Sequence, residues 1–192
     1  GEGAGGVWFL ADHVTRRKGV SPHQPIVWRY EWPKSIKDEL VTEDNPSGTI
    51  SNSDLELAGG LLHLQALVQA CDARERTMLS KTDNLAALFW QRKGSTSTDK
   101  SSAHLLRLFG LHQRYHRYVP RHDYLSGPSN PLADASSRLF HLPNTQFLSA
   151  MNSLYPQKIG FQQLHLEQKV ISSVICALQR WQSKMGSLLV EP

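Results

Sequence analysis

The sequence predicts an α/β fold in which helices flank a mixed β-sheet. Short apolar runs in the first third and in the middle of the chain are typical of strands. Longer segments repeat leucine at every third or fourth position, as amphipathic helices do. The order of the segments supports the same fold, because strands that lead into helices in this way call for helices packed on a sheet.

The first strands are expected in the N-terminal segment. The glycine-rich stretch 1–6 predicts a turn, the apolar run 7–10 predicts the strand after it, and the alternating run 25–32 predicts an antiparallel neighbour. A turn of this kind joins two strands. We therefore expect one more strand upstream of Gly1, outside this chain.

A long helix and a helix after a buried strand are predicted next. Ser53 and Glu56 match an S-x-x-E capping box, and the helix continues through Ala70. Residues 77–82 predict the buried strand, and residues 83–84 would cap a helix that reaches about Lys93. The apolar stripe of the long helix consists of Leu57, Leu61, Leu64 and Val68.

The remaining pattern predicts helix, strand and helix. Residues 103–118 predict a helix, residues near Pro120 a short strand that the proline confines to an edge, and a last helix begins at Pro131. With the upstream strand included, the order is β-β-β-α-β-α-α-β-α. The predicted buried stripe of helix 103–118 consists of Leu105, Leu108, Leu111 and Tyr115. Beyond Leu142 the pattern weakens.

Composition favours a soluble globular protein. Apolar residues make up 40% of the 192 residues and charged residues 20%, which argues against a disordered or fibrous chain. The two widely separated cysteines form no zinc or disulfide pattern, and no apolar run is long enough to cross a bilayer. We therefore expect an intracellular protein from a reducing compartment, with no membrane contact.

Positive charge is concentrated in one segment. Residues 101–122 contain four arginines, four histidines and no acidic residue. Such a run is either a surface for a polyanion or simply the solvated face of a helix. His112 and His116 have the i, i+4 spacing of a zinc pair, but no third ligand is suitably spaced, so zinc is disfavoured.

Three carboxylates are candidate metal ligands. Taken singly, Glu56 could belong to its capping box, Asp83 could cap a helix, and Asp134 could favour the positive end of a helix dipole. Taken together, they fall at positions that a sheet of this order can bring to one side. Clustered carboxylates suit Mg²⁺ or Mn²⁺, and two such ions can promote phosphodiester hydrolysis.

Three motifs resemble, in order, the ribonuclease H domains that follow reverse transcriptase in retrotransposons. They are SDLELA at 53–58, TDNLAAL at 82–88 and GPSNPLADASSR at 127–138, of which the last is the most specific. The opening GAGGVW at 3–8 looks like the turn just after the family's first catalytic aspartate. The resemblance implies a ribonuclease H-like domain over residues 1–142, with a mixed sheet and flanking helices. Residues 143–192 would then be a helical connector or the start of a downstream module.

The resemblance also implies a site. Glu56, Asp83 and Asp134 would be catalytic metal ligands for two Mg²⁺ or Mn²⁺ ions, within the family's set of four carboxylates. The first aspartate of that set is expected upstream of Gly1, so this chain would be inactive alone. His122 would be the histidine that helps product release, although a strand-end or surface histidine is the simpler interpretation.

The implied activity is hydrolysis of the RNA strand of RNA–DNA hybrids. The implied partners are the hybrid, a reverse transcriptase domain upstream in the same polyprotein and an integrase or recombinase downstream, in a cytoplasmic replication complex or the nucleus. One alternative is a module that binds the hybrid or tethers the polymerase without cutting; another is a decayed genomic copy. Hybrids are recognised largely through backbone and phosphates, for which the candidates are Arg92, Lys93, Arg107, Arg114 and Arg117.

Overall fold

A computed structural model describes residues 2–96 and 101–179 and shows a mixed α/β architecture. The strands are β1 (Gly3–Trp8), β2 (Ile26–Glu31), β3 (Thr77–Thr82), β4 (Val119–Tyr124) and β5 (Gln162–Gln163). The helices are α1 (Lys34–Lys37), α2 (Asn52–Ala70), α3 (Leu85–Lys93), α4 (Ser101–His116), α5 (Pro131–Ser136), α6 (Asn144–Leu154) and α7 (Gln168–Leu178). Two 3₁₀ turns cover Gly127–Ser129 and Leu139–His141.

The strands form two small sheets. In the first, of order β1-β2-β5, β1 and β2 are antiparallel, as predicted, and β5 is parallel to β2. In the second, β3 and β4 are parallel, with Thr77 opposite Val119. Helix α2 packs against β1, β2 and β3, so one helix supports both sheets. Among the described residues, the second edge of β1 and the second edge of β3 have no strand partner.

Residues 3–6 of the glycine-rich stretch belong to strand β1, so the prediction of a turn there was wrong. Gly1 lies outside the described residues. A Cβ atom built on Gly5 would lie 2.5 Å from the carbonyl carbon of Ser136 in α5. On the opposite face of β1, the Cβ of Ala4 lies against Gly59 of α2. Helices therefore press on both faces of β1, and glycine is used where backbones approach this closely.

Helix α2 begins two residues earlier than its predicted capping box implies. The N-cap is Ser51, whose Oγ accepts from the backbone N of Asp54 at 3.2 Å, while the Asp54 carboxylate accepts from the backbone N of Ser51 at 2.9 Å. The assignment of the capping box to Ser53 and Glu56 was wrong, and the Glu56 carboxylate does not cap α2. The predicted stripe is confirmed: Leu57, Leu61, Leu64 and Val68 are all buried.

The C-terminal part of the described chain shares the cores of the N-terminal part. Phe147 and Met151 of α6 pack with Val27 of β2, while Val174 and Leu178 of α7 belong to the core built around α2. Within residues 2–96 and 101–179, both hydrophobic cores therefore contain residues from each side of the boundary predicted after residue 142. An amphipathic helix with weak flanking signals looks like a connector in sequence, since its partners lie far away along the chain.

Helix α4 turns a different face inward from the one its leucines predicted. Leu105 and Leu108 are buried as expected, but Leu111 is 38% exposed and Tyr115 52% exposed. Phe109 and His112 are buried instead. The helix packs against α2 and α7, and this packing decides which face is covered.

None of the helices that the structure describes is long and apolar enough to span a bilayer.

Candidate active site

Glu56 lies in the second turn of α2 and is partly buried. Its carboxylate has no hydrogen bond or ion pair to any described residue. Burial raises the pKa of the Glu56 carboxyl, and the nearby negative charge of Asp83 raises it further. The structure thus brings these two predicted ligands into one electrostatic environment, although they belong to different elements.

Asp83 lies between the end of β3 and the start of α3, with its side chain exposed. The cap of α3 is not Asp83 but Asn84, whose Oδ1 accepts from the backbone N of Ala87 at 2.9 Å. A Cβ atom built on Gly127 would lie 3.2 Å from Oδ2 of Asp83. The turn that leads to α5 therefore passes directly beside this carboxylate.

Asp134 lies in the first turn of α5, as predicted. Its Oδ1 accepts from Nε of Arg138 at 2.6 Å, in an ion pair exposed to solvent. Across residues 2–96 and 101–179, no three His, Cys, Asp or Glu side chains stand close enough together to hold a metal ion. The predicted cluster of three carboxylates is therefore seen as one electrostatic pair, Glu56 with Asp83, and a separate Asp134–Arg138 ion pair.

The donor atoms and the charge of the Glu56–Asp83 pair suit a divalent cation. Both groups supply hard oxygen donors, and neither Glu56 nor Asp83 is neutralised by a described basic side chain. Two carboxylates that repel each other lose that repulsion when a cation lies between them. Asp134 could join them only by leaving Arg138.

His122 does not lie in the loop before α5, where its predicted role places it. It lies within β4, is only 7% exposed and turns its ring edge-on to Phe109 of α4. Its Nδ1 has no hydrogen-bond partner among the described residues. Burial lowers the pKa of His122 to about 4, and the charge of Arg92 adds to this. A buried, neutral imidazole has no access to a product, so this placement argues against a role in product release.

The predicted phosphate contacts are dispersed. Arg107 and Arg114 are exposed on α4, and Lys93 is exposed at the end of α3. Arg92 is engaged, since its guanidinium donates to the His122 carbonyl at 2.9 Å and pairs with Asp123 at 2.7 Å. Arg117 lies beyond the end of α4 in a left-handed conformation, with φ of 54°, and pairs with Glu75. It does not share the helical face with the other two arginines.

The histidine pair on α4 is a structural element. His112 Nε2 donates to Gln65 Oε1 at 2.8 Å, because that oxygen can only accept. His112 Nδ1 then accepts from the Tyr118 hydroxyl at 2.8 Å. With both ring nitrogens engaged, His112 has no lone pair for zinc. Tyr118 is buried in this network.

Two residues beside the carboxylates were missed by the sequence reasoning. Gly127 adjoins Asp83, and the side-chain amide of Asn84 donates to Ser53 Oγ at 3.4 Å, in the first turn of the helix that carries Glu56. The sequence predicts Asn84 only as part of a helix cap.

Comparison of the chain with known protein families, with curated proteins and with solved structures gives no match.

Proposed function

We propose that the chain carries the metal site of a nuclease that hydrolyses the RNA strand of RNA–DNA hybrids. The observation that carries this proposal is the carboxylate pair: Glu56 is partly buried, has no partner among the described residues, and lies in the field of Asp83. Partial burial beside a second negative charge disfavours an ionised carboxylate unless a cation compensates it. The order of the three ribonuclease H-like motifs supports the choice of substrate.

Glu56 and Asp83 would hold the metal, as one or two Mg²⁺ or Mn²⁺ ions, and Asp134 would contribute an oxygen after releasing Arg138. When bound, a divalent cation supplies charge neutralisation and polarises the phosphodiester. Because its pKa is raised, Glu56 retains a proton more readily in the free protein and would release it as the site fills. Arg138, once released by Asp134, could meet a phosphate oxygen.

The exposed basic groups suit the hybrid's backbone. Lys93, Arg107 and Arg114 are free to meet phosphates, whereas Arg92 and Arg117 must first leave their acidic partners. We place the protein with a reverse transcriptase upstream and an integrase or recombinase downstream, inside the cell. These partners and this location follow from the motif resemblance alone.

A second candidate is a module that binds the hybrid, or tethers the polymerase, without cutting. The observation that favours it is the lack of a three-ligand group among the described residues, together with the engagement of Asp134 by Arg138. Both candidates predict binding of RNA–DNA hybrids, and only the first predicts metal-dependent cleavage.

A cleavage assay separates the two. The protein as its gene encodes it is incubated with a hybrid labelled in the RNA strand, with Mg²⁺ or with a chelator, beside Asp83→Asn and the control Asp44→Asn. Asp44 is an exposed acid without a described partner. Cleavage that needs Mg²⁺, disappears in Asp83→Asn and persists in Asp44→Asn supports the nuclease. Binding of the hybrid without cleavage by any form supports the module.

A further inference from the structure

One side-chain contact joins the two segments that carry the carboxylate pair. The side-chain amide of Asn84 donates to Ser53 Oγ at 3.4 Å. Ser53 precedes Glu56 by three residues on α2, so the two lie on the same helical face. Asn84 directly follows Asp83. The contact therefore connects the residue next to one carboxylate with the helical turn below the other.

The geometry of Asn84 leaves this contact little freedom. Its Oδ1 accepts from Ala87 N at 2.9 Å, so the nitrogen of the amide must point the other way, toward Ser53. Its backbone N donates to Oγ1 of Thr82 at 3.2 Å, at the end of β3. Asn84 thus ties β3, α3 and α2 together at one point.

The turn at Gly127 lies close to the Asp83 carboxylate. A Cβ atom at this position would lie 3.2 Å from Asp83 Oδ2, which is closer than ordinary van der Waals contact. The Asp83 carboxylate therefore lies beside the Gly127 turn, while the residue after it is held to α2.

We propose that Asn84 is a positioning residue, which sets the spacing between the Glu56 and Asp83 carboxylates through its contact with Ser53. Its consequence for a metal site rests on the proposed function. The spacing itself is a property of the metal-free protein and is tested there.

The test is a thermal-stability cycle without metal. Melting temperatures are measured for the parent, Glu56→Gln, Asp83→Asn and the double variant. In the parent background, each single change relieves the same repulsion, so the double change should raise the melting temperature by less than the sum of the two. The cycle is repeated in Ser53→Ala and Asn84→Ser, where serine can still cap α3 but is too short to reach Ser53.

Loosening the contact should make the two changes nearly additive, because like charges interact less as they separate. Ser53→Thr keeps a hydroxyl and should restore the parental non-additivity, and the control Asn52→Ala alters the same helical turn at an exposed site. The proposal is overturned if Ser53→Ala and Asn84→Ser retain the full non-additivity, or if the parent itself shows none.

A second measurement tests the consequence. Binding of Mn²⁺ alone, followed by electron paramagnetic resonance, should weaken several-fold in Ser53→Ala and recover in Ser53→Thr. Equal affinity in Ser53→Ala and the parent would overturn the positioning role at the metal site. A parent that does not bind Mn²⁺ refutes the proposed function, while the metal-free cycle still decides whether Asn84 sets the spacing.

Discussion

Helix α2 carries two clusters of polar groups that differ in one respect. Near its middle, Gln65 begins a histidine network with His112 and Tyr118, in which each ring nitrogen of His112 has a partner at 2.8 Å. Near its N-terminus, Glu56 lies in the electrostatic field of Asp83, and the Glu56 carboxylate has no hydrogen bond or ion pair to any described residue.

The two clusters on α2 differ in whether their polar side chains have hydrogen-bond partners among the described residues. A buried polar group whose bonds are all made contributes to a unique core, whereas two like charges held near each other repel until a cation binds between them. The histidine network therefore has no need of a ligand. In the carboxylate pair, a bound cation would relieve the repulsion between the two negative charges.

The largest expected effect is the loss of cleavage in Asp83→Asn, by at least roughly 10²–10³-fold, the scale on which single electrostatic contributors to catalysis act. The fold should persist without metal, because Asn84 caps α3. Mg²⁺ should raise the melting temperature of the parent more than that of the variant. Full cleavage and an unchanged Mg²⁺ shift in Asp83→Asn would remove Asp83 from the site.

Acid should destabilise the fold through its buried histidines. Burial lowers the pKa of His63 and His112 to about 3, and burial together with neighbouring arginines lowers that of His116 and His122 to about 4. Below pH 6.5 these histidines bind protons in the unfolded chain but remain neutral in the folded chain. The free energy of unfolding therefore falls as the pH drops toward 4. Each histidine contributes at most about 1.4 kcal/mol per pH unit.

The measurement is urea unfolding at pH 7, 6 and 5. His122→Leu removes one of the four groups and should flatten the slope by about a quarter. Glu56 acts in the opposite direction, since its raised pKa means that the folded state gains stability as this carboxyl is protonated. A free energy of unfolding that stays constant from pH 7 to pH 5 would contradict the burial of these imidazoles.

Breaking the histidine network should affect stability and leave chemistry unchanged. Gln65→Met keeps the side chain's length but removes the acceptor of His112 Nε2, at a cost of about 1–3 kcal/mol for the unpaired donor. The cleavage rate per folded molecule and the Mg²⁺ shift should match those of the parent. A change in Mg²⁺ binding would show that the two clusters on α2 are coupled.

The smallest expected effect is a gain. Glu56→Gln should raise the stability of the metal-free protein by about 0.5 kcal/mol, the scale of a like-charge pair on a helix. The same variant should lose the stabilisation by Mg²⁺. A destabilised Glu56→Gln would mean that the carboxylate has a structural partner after all.

How much of the site was predictable depends on how local each signal is. The bounds of strand β3 and helix α3 were predicted to the residue or nearly so, because a short strand-like run, a cap and a helical period all lie within a few positions. The prediction that β3 is buried was wrong, since Ser80 is its only buried residue. The antiparallel pairing of β1 and β2 was also correct. The capping box of α2 was predicted two residues too late. Ser51 and Ser53 can both cap a helix, and each is followed three residues later by an acid, Asp54 or Glu56.

The sequence by itself determined the mixed α/β class, most element bounds and the three candidate carboxylates, since these depend on residue type and short-range order. Only the tertiary structure decided that Gly5 of β1 lies against α5, that His122 is buried, and that residues 144–178 complete the cores. It also decided that Glu56 lies in the electrostatic field of Asp83 while Asp134 forms an ion pair with Arg138. Each of these outcomes depends on which distant segment lies opposite, and packing between elements, rather than local pattern, makes that choice.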